Sequence, residues 1–340
     1  MNSLNVARLF TPALRRASTP LTVAARPLVS LSSVPRPVPP PVLPQGVIPT
    51  GVPSAPRSIP HEIRNHQAAP GAQYILPSDK VEADRLQLQH DMFKTLYDDK
   101  ILLSRARLNK NSKVLDSGVG SGAWITALVK EIPGISVQGI DIEDNLFPKN
   151  LPKNVKLDRM SVLDIPLSWT NRFDLVHQRG FVLGLRREEW PVALAQLYRV
   201  TKPGGHIQLL DGNLSRARNV GPANRIQNGM LAELCRRRGL VLNVTDQLAD
   251  MVRAAGFVNV KEDARNIVMS SRNGQIGLDA WTNQYLAFKG LKTPMLNAGG
   301  LGYVQSEVEF DQMIEDMGRE WEEKGGECGY VVVCARKPLN

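Results

Sequence analysis

Short apolar runs alternate with stretches of helical apolar spacing along most of the chain. The runs predict buried strands at 114–115, 135–140, 155–159, 173–177, 206–210, 257–261 and 330–335. Apolar residues spaced three to four positions apart predict helices at about 123–131, 190–200 and 223–238. This alternation of strands and helices favours an α/β fold with a largely parallel sheet.

A glycine-rich turn follows the first predicted strand. The sequence there is Val114-Leu115-Asp116-Ser117-Gly118-Val119-Gly120-Ser121-Gly122, and Asp141 ends the next strand. Glycines lack side chains, so they let a ligand approach the main chain and leave amides at a helix start free for an electronegative group. A carboxylate at Asp141 can accept both hydroxyls of a ribose. The segment therefore predicts a site for a ligand that contains a nucleoside.

Three interpretations of this turn are open. Gly118, Gly120 and Ala123 also satisfy the fingerprint of nicotinamide- and flavin-dependent enzymes. Asp116 argues against these enzymes, because a carboxylate two residues before the first glycine would repel a pyrophosphate but suits a cationic amino-acid ligand. A turn that binds no ligand is the third interpretation, and the distal Asp141 disfavours it.

The two apolar residues, Asp116 and the three alternate glycines together resemble motif I of class I S-adenosylmethionine-dependent methyltransferases. Lys202-Pro203-Gly204-Gly205 resembles the turn that precedes the fifth strand of that family. The resemblance implies a Rossmann-like α/β fold with a mostly parallel sheet, an antiparallel last strand, helices on both faces and a helical lid. It implies S-adenosylmethionine as the cofactor, with contacts from Asp116, Gly118, Gly120, Gly122 and Asp141.

The loop after the strand at 155–159 lies beside adenine in this family, and the chain departs from the usual pattern there. Many members have an acid where this chain has Ser161, and an alanine where it has Val162. A hydroxyl accepts a weaker, neutral hydrogen bond than a carboxylate does. We therefore expect adenine binding to depend on apolar packing by Val162 and Ile142, with Ser161 as the polar contact.

A second resemblance lies upstream and narrows the family. Tyr74-x-Leu76-Pro77-Ser78-Asp79-x-x-Glu82-x-x-Arg85-Leu86-x-x-Gln89-His90 looks like the N-terminal signature of fungal LaeA-like methyltransferases. Asp79 is predicted to cap a helix whose third position is Glu82. The resemblance covers residues 72–335 and implies that this helix packs over the cofactor, with Tyr74, Arg85 and Gln89 in contact with it. The alternative is an ordinary capped amphipathic helix.

Candidate catalytic residues follow the strand at 173–177, at the edge where open α/β sheets bind ligands. Methyl transfer from an activated donor depends mainly on positioning, so a base is needed only if the acceptor must lose a proton. His177 is a candidate to orient or deprotonate the acceptor, and Arg179 a candidate to hold an anionic one. A structural histidine bonded to the backbone is the alternative for His177.

The acceptor side is expected to be built by an inserted lid at about 214–243 and by helices at about 278–324. Bulky side chains there that are candidates to line a pocket are Ala280, Trp281, Tyr285, Leu286 and Phe288. Such a stripe is more often ordinary packing than a binding surface.

Composition limits the possible classes of protein. The chain has 340 residues with 42% hydrophobic content, enough for one catalytic domain with a sizeable core. No apolar run reaches the roughly 18 residues that span a membrane. The three cysteines and five histidines show no metal-ligand spacing, so we expect reduced thiols and no metal.

The net charge of +9 is concentrated at the N-terminus. Residues 1–61 contain six arginines, 13 prolines and no acidic residue. Prolines dominate 35–60 and predict a disordered linker. Arginine without acids in 1–30 resembles a mitochondrial transit peptide more than a secretory signal, with a disordered basic tail in the cytoplasm or nucleus as the alternative. The remaining charge is near balance, and the cluster Arg236-Arg237-Arg238 lacks interleaved aromatics, so we expect no nucleic-acid partner.

The sequence thus predicts methyl transfer to a small organic acceptor. A regulatory protein that binds the cofactor within a protein complex is the leading alternative, and a nicotinamide-dependent oxidoreductase is the next. The target atom is left open.

Overall fold

A computed structural model describes residues 64, 66 and 74–339. Its strands form one seven-stranded sheet. They are β1 (Lys113–Ser117), β2 (Ser136–Asp141), β3 (Val155–Arg159), β4 (Phe173–Arg179), β5 (Thr201–Arg218), β6 (Val258–Val268) and β7 (Glu327–Arg336). Every strand predicted from the sequence is present, with its ends moved by a few residues.

The strand order is β3-β2-β1-β4-β5-β7-β6, and β1 to β5 pair in parallel. β7 is antiparallel to both of its neighbours and lies between β5 and β6. The Rossmann-like, mostly parallel sheet with an antiparallel last strand is therefore confirmed. Because β1 to β5 point the same way, their carboxyl ends share one edge of the sheet.

Helices connect and cover the strands. They are α1 (Lys80–Leu96), α2 (Ala123–Glu131), α3 (Glu189–Val200), α4 (Pro222–Arg238), α5 (Leu248–Ala254), α6 (Gly274–Gly290), α7 (Lys292–Asn297) and α8 (Glu307–Lys324). The capping prediction for α1 is confirmed, since the side chain of Asp79 accepts a hydrogen bond from the amide of Glu82 at 2.9 Å.

Neighbouring residues of β1 show why helices lie on both faces. Successive side chains of a strand point to opposite faces. Val114 packs with α2 residues such as Leu128, whereas Leu115 packs in a cluster with Leu194 and Leu197 of α3. A sheet covered on both faces has central strands that are buried at nearly every position, as β1 is from Val114 to Ser117 and β4 from Leu175 to Gln178.

The segment Lys202 to Gly205, predicted as a turn before a strand, lies inside β5. Pairing with β4 jumps from Phe173 opposite Thr201 to Leu175 opposite His206, so the extra residues form a bulge. Gly204 has φ 78°, a conformation that favours glycine. A proline and two glycines bend the strand here without ending it.

Lys337 joins the end of the chain to α3. Its Nζ donates to the carbonyls of Tyr198 at 2.8 Å and Thr201 at 2.9 Å, and to Oδ1 of Asn171 at 2.7 Å. The last carbonyls of a helix have no partners within the helix, so a lysine at this position satisfies them and favours the helix dipole.

Helix α4, in the segment predicted as a lid, packs against α8. Nε1 of Trp321 donates to Oδ1 of Asn224 at 3.2 Å, and the amide of Ala223 donates to Glu320 Oε1 at 2.9 Å. At its C-terminal end, Arg236 and Arg237 both pair with Glu233. Two arginines of the basic cluster are therefore engaged in ion pairs within α4.

Candidate functional site

A cavity of about 570 Å³ opens at the shared carboxyl edge of the parallel strands. Its lining comes from the glycine turn, the ends of β2, β4 and β5, the loop after β3, α1, α6 and β7. Ten residues predicted for the site line it, namely Tyr74, Arg85, Gln89, Gly118, Gly120, Asp141, Ile142, Ser161, Val162 and Arg179. Residues that are far apart in the sequence are thus brought together around one cavity, and their contact with a cofactor stays a prediction.

The glycine turn and Asp141 are bonded to each other at one end of the cavity. The amide of Gly120 donates to Asp141 Oδ2 at 2.9 Å, and the amide of Glu143 donates to Oδ1 at 3.1 Å. Gly118 and Gly120 have φ of 76° and 51°. A Cβ on Gly118 would lie 2.3 Å from Cε2 of Phe181, so glycine is required there for packing as well as for its backbone conformation.

Burial raises the pKa of Asp141 to about 6, although the amides of Gly120 and Glu143 oppose the shift. Desolvation disfavours a carboxylate that has no cation beside it. Two hydroxyl donors of a bound ribose would compensate for part of this cost, because each oxygen can accept more than one hydrogen bond.

The loop after β3 forms a mostly apolar wall near Ile142. Val162 is buried, and the hydroxyl of Ser161 accepts a hydrogen bond from the amide of Leu163 at 3.2 Å. Ser161 therefore shapes its own loop and also borders the cavity. A flat aromatic ring packed between Ile142 and Val162 would find few polar partners other than this hydroxyl.

Helix α1 covers one side of the cavity and contains a buried ion pair whose arginine is hydrogen-bonded to α6. Nε and Nη2 of Arg85 donate to the two carboxylate oxygens of Glu82 at 2.9 and 2.5 Å. Nη1 of Arg85 donates to Oδ1 of Asn283 at 2.7 Å. Arg85 is only 3% exposed and Glu82 only 1%. The three nitrogens of Arg85 are therefore already engaged by the protein.

Arg179 ends β4 and lines the middle of the cavity. Its Nη1 lies 3.3 Å from Nδ1 of His90, and its guanidinium carbon lies 5.4 Å from the ring centroid of Phe93. Burial lowers the pKa of Arg179 to about 10, so the group stays cationic at neutral pH.

His177, Asp116 and Gly122 do not line the cavity. Nδ1 of His177 lies 2.7 Å from Oδ1 of Asp116, and the imidazole stacks on Trp124 with ring centroids 3.8 Å apart. An ionised carboxylate only accepts, so the histidine donates. Burial lowers the pKa of His177 in spite of this acid, which favours the neutral ring.

These positions change three predictions made from the sequence. His177 is enclosed between β1, β4 and α2, so the geometry favours its structural alternative over contact with an acceptor. Asp116 is directed to His177 rather than to a ligand. Gly122 is the N-cap of α2 and has φ 73°. A Cβ there would lie 2.7 Å from Cγ of Pro148, so packing and backbone conformation both require glycine at this position.

Asp211 is a site residue that the sequence analysis did not select. It follows Leu210 in β5, is 2% exposed and lines the cavity. Its oxygens accept hydrogen bonds from the amides of Val182 at 2.9 Å and Phe181 at 3.1 Å. Burial raises its pKa to about 7. The signal that could have identified Asp211 is an acid directly after the predicted strand at 206–210. Asp141 was identified from the same kind of position.

The wall of the cavity formed by α6 and β7 is more polar than predicted. Helix α6 contributes Asn283, Gln284 and Ala287 to the lining, and β7 contributes Tyr330. The hydroxyl of Tyr330 lies 3.5 Å from Asn283 Nδ2 and 3.4 Å from Gln284 Nε2.

The aromatic stripe predicted for this wall lies elsewhere on α6. Trp281 stacks on Tyr285 and donates to the carbonyl of Gly318 at 2.9 Å, and Ala280 and Phe288 belong to the core. None of the five predicted side chains lines the cavity, and α4 contributes nothing to it. The stripe is ordinary packing because it occupies the helix face that meets α8.

The residues around Asp141 fit a nucleoside-containing cofactor. A carboxylate with spare lone pairs lines the cavity, backbone glycines replace side chains beside it, and Ile142 and Val162 add apolar lining. Across residues 64, 66 and 74–339, no group of three or more His, Cys, Asp and Glu side chains has the geometry to hold a metal ion. In the same part of the chain, no helix has the length and apolarity to cross a membrane.

Comparison with known proteins agrees with this geometry. Residues 114–205 match the family model described as "Methyltransferase domain". The chain is 30% identical to the N-methyltransferase sirN of Leptosphaeria maculans over 282 residues, which cover 79% of this chain and 96% of that protein. It is also 30% identical to the N-methyltransferase tcpN of Claviceps purpurea, over 75% of this chain and 94% of that protein.

A shorter similarity links the chain to a regulator. It is 30% identical over 149 residues to the secondary metabolism regulator LAE1 of Pyricularia oryzae, covering 41% of this chain and 43% of that protein. The near-complete coverage of the two methyltransferases also sets aside the nicotinamide-dependent oxidoreductase that the glycine pattern had left open. The chain belongs to the class I S-adenosylmethionine-dependent methyltransferases, resembles the fungal LaeA-like family, and uses S-adenosylmethionine as its cofactor.

Proposed function

We propose that this protein methylates a nitrogen atom of a small organic acceptor. The observation that carries the proposal is the cavity of about 570 Å³, whose lining includes the glycine turn and Asp141 together with Arg179, Asp211 and Tyr330. This volume is in the range of small-molecule sites, roughly 300–1,000 Å³. Nitrogen as the target is supported by the two relatives sirN and tcpN, which are both named N-methyltransferases and are covered almost completely.

In this proposal, one end of the cavity positions the cofactor. Asp141 accepts the ribose hydroxyls, the glycine turn allows close approach, and Ile142 and Val162 enclose the adenine with Ser161 at its edge. Tyr74, Arg85 and Gln89 close the site from the side of α1. S-adenosylmethionine supplies a methyl group that is already activated by its positive sulfur. The protein's main task is then to hold the acceptor nitrogen in line and to exclude water.

Asp211 is proposed as the proton acceptor. Bound S-adenosylmethionine would supply the methyl group and leave as neutral S-adenosylhomocysteine when the bond between its sulfur and the methyl carbon breaks. The acceptor nitrogen bonds to that carbon, and its N–H proton passes to a carboxylate oxygen of Asp211. A pKa of about 7 leaves a substantial ionised fraction at neutral pH while keeping the group basic enough to take a proton. The amides of Phe181 and Val182 fix both oxygens, and the amide of Gly212 also bonds the carboxylate. A carboxylate has about four lone-pair directions, so one is left for the acceptor proton.

The decisive test is methyl transfer from labelled cofactor into a metabolite extract and, in parallel, into a protein extract of a strain that lacks the gene. We expect label in a small molecule, attached to nitrogen by mass spectrometry. Label on carbon, oxygen or sulfur would reject the nitrogen assignment. Binding of S-adenosylhomocysteine without transfer to any metabolite would instead favour a regulatory protein that works in a complex, the alternative to which the partial similarity to LAE1 points.

The role of Asp211 predicts a pH profile. Because the carboxylate must be ionised, turnover with the identified acceptor should rise with pH through about 7 and then level off. Asp211→Asn should lower kcat by about 10²–10⁴-fold and remove this limb of the profile. Asp174→Asn, at the opposite edge of the sheet, is the matched control because Asp174 binds the amide of Lys113 and pairs with Lys202 outside the cavity. An unchanged profile in Asp211→Asn would exclude Asp211 as the base.

A further inference from the structure

Arg179 differs from the two other arginines that line the cavity, Arg85 and Arg159, which pair with Glu82 and Glu143. Within residues 74–339, no carboxylate oxygen lies within 4.0 Å of its nitrogens. Its one hydrogen bond goes to His90, and its guanidinium lies near the face of Phe93. Asp116 attracts it from farther away but is bonded to His177. Arg179 is partly buried, and a cation that loses part of its hydration without a paired anion costs folding free energy that an anionic ligand would offset.

His90 does not neutralise this charge. Burial, together with the neighbouring Arg179, lowers the pKa of His90 to about 4, so the imidazole is neutral at physiological pH. A neutral ring can accept the N–H of Arg179 through Nδ1 and thereby orient the guanidinium. The remaining N–H groups of Arg179 keep both their charge and their capacity to donate.

Arg85 cannot supply the same function, although it also lines the cavity. Both of its parallel N–H directions are taken by Glu82, and a third nitrogen is taken by Asn283. Its charge is balanced by a carboxylate within the protein. Arg159, which also lines the cavity, pairs with Glu143 at 3.9 Å. Arg179 is therefore the cavity arginine whose charge no carboxylate balances at contact distance within residues 74–339.

We propose that Arg179 forms a subsite for a carboxylate carried by the methyl acceptor, so that the substrate class is an anionic small molecule. This inference rests on the proposed function. A guanidinium matches a carboxylate in a planar, bidentate arrangement, and the nearby rings of Phe93 and Tyr330 lower the local dielectric and strengthen the pair.

The position of Arg179 in the sheet favours the acceptor over the cofactor as the source of this carboxylate. Arg179 pairs in register with Leu210, so it lies beside the strand that carries Asp211. β1 separates β4 from β2, which carries Asp141, and two strand spacings amount to about 10 Å. A group held at Arg179 is thus next to the proposed proton acceptor. The carboxylate of the cofactor's methionine moiety is the competing source, and the experiment must separate the two.

The test compares a carboxylate with its neutral amide in protein saturated with S-adenosylhomocysteine. Indole-3-acetate and indole-3-acetamide are suitable calorimetric probes, because their flat rings suit the aromatic walls. Wild-type protein should bind the acid about tenfold or more tightly than the amide, as expected for hydrogen bonds to a charged group. Arg179→Gln should abolish this preference. Arg172→Gln is the matched control, since Arg172 also lies over aromatic rings but stands before β4, outside the cavity.

Several outcomes would overturn the subsite. One is that indole-3-acetate binds wild-type protein no better than indole-3-acetamide does, which includes the case in which neither compound binds detectably. Another is a preference that survives in Arg179→Gln. A third is an Arg179→Gln variant that loses affinity for S-adenosylhomocysteine while keeping its affinity for 5′-methylthioadenosine, which lacks the amino-acid group, because Arg179 would then hold the cofactor.

The labelled product provides an independent check. Mass spectrometry after esterification should find a carboxyl group in it, and an N-methyl product without a carboxyl group would reject the subsite while leaving the proposed function intact. Absence of any N-methyl product would reject the proposed function, whereas the probe measurements do not depend on turnover. The two failures are therefore distinguishable.

Discussion

The carboxylate of Asp141 accepts hydrogen bonds from the backbone and is also proposed to accept them from the ribose of the cofactor. It fixes the amides of Gly120 and Glu143, and its raised pKa shows that the protein alone does not fully compensate for its burial. The same carboxylate therefore shapes the turn and retains affinity for further donors. Loss of this side chain should affect the bound state more than the free one.

Asp141→Ala should weaken binding of S-adenosylhomocysteine by roughly 1.5–3 kcal/mol, the range for a hydrogen bond to a charged group. Isothermal titration calorimetry at pH 8, where the wild-type carboxylate is ionised, gives the measurement. Asp158→Ala is the control, because Asp158 lies opposite Ile140 on the next strand and bonds only to Gln138 there. Wild-type affinity in a folded Asp141→Ala protein would show that the ribose lies elsewhere.

His177 illustrates the opposite case, a polar residue whose place in the sequence is that of a catalytic group. His177→Leu should lower the free energy of unfolding by roughly 1.5–3 kcal/mol, because Asp116 would remain buried without its donor. His177→Asn, which can still donate, should recover part of the loss. Urea unfolding measures both. A His177→Leu protein of wild-type stability with abolished turnover would restore the catalytic interpretation.

Among the helices, α1 and α6 depend on each other through Glu82, Arg85 and Asn283. Breaking a buried ion pair from one side leaves an uncompensated charge, whereas replacing both partners by apolar groups is often tolerated. The contact between these helices is thus a specific one, fixed by three polar residues in an otherwise apolar cluster.

Arg85→Met should cost about 3–5 kcal/mol of unfolding free energy, and the double variant Glu82→Leu, Arg85→Met should recover most of it. Chemical denaturation of the wild type, both single variants and the double variant completes the cycle. If the losses of the two single variants added up in the double variant, Glu82 and Arg85 would stabilise the fold independently of each other, and the inferred coupling would be wrong.

The elements were largely predictable because their signals are local. The predicted range of α2 matches the helix from Ala123 to Glu131, and the cap at Asp79 could be recognised from the capping residue and the acid three positions later. The bulge at Lys202 to Gly205 could not, since a proline and two glycines indicate a turn equally well.

The site was predictable only where one strand end or one turn determined it. Asp141 and Gly120 come from such segments, and they line the cavity as expected. The positions of His177 and Asn283 depend instead on which face of an element meets which neighbour. Helical spacing predicts that Tyr285 and Asn283 point in different directions, but not which of them faces the core.

For the whole molecule, the leader at 1–61 lies outside the described residues, and its targeting role stays a proposal. With 13 prolines and no acids, this segment has too few apolar residues in regular spacing to form a core. Deleting residues 1–61 should leave the melting temperature and the affinity for S-adenosylhomocysteine unchanged, as measured by differential scanning fluorimetry and calorimetry. A lower melting temperature would show that the leader packs on the domain.

A fluorescent protein fused to residues 1–61 should enter mitochondria and be shortened. Replacing Arg8, Arg15 and Arg16 by Glu should abolish import, because the membrane potential that draws a cationic helix inward opposes an anionic one. Microscopy and immunoblotting report location and length. A fusion that stays uncut in the cytosol or nucleus would favour a disordered tail and the regulatory alternative.

The place of β7 between β5 and β6 has a consequence for synthesis on the ribosome. β6 pairs with the sheet only through β7, and residues 269–326 separate the two strands. At roughly 5–20 residues per second, β6 waits about 3–12 seconds for its partner. An apolar strand left open for that interval would invite association with other chains. β6 carries charges at Lys261, Glu262 and Asp263. These charges disfavour pairing of the exposed strand with other chains until β7 has been synthesised.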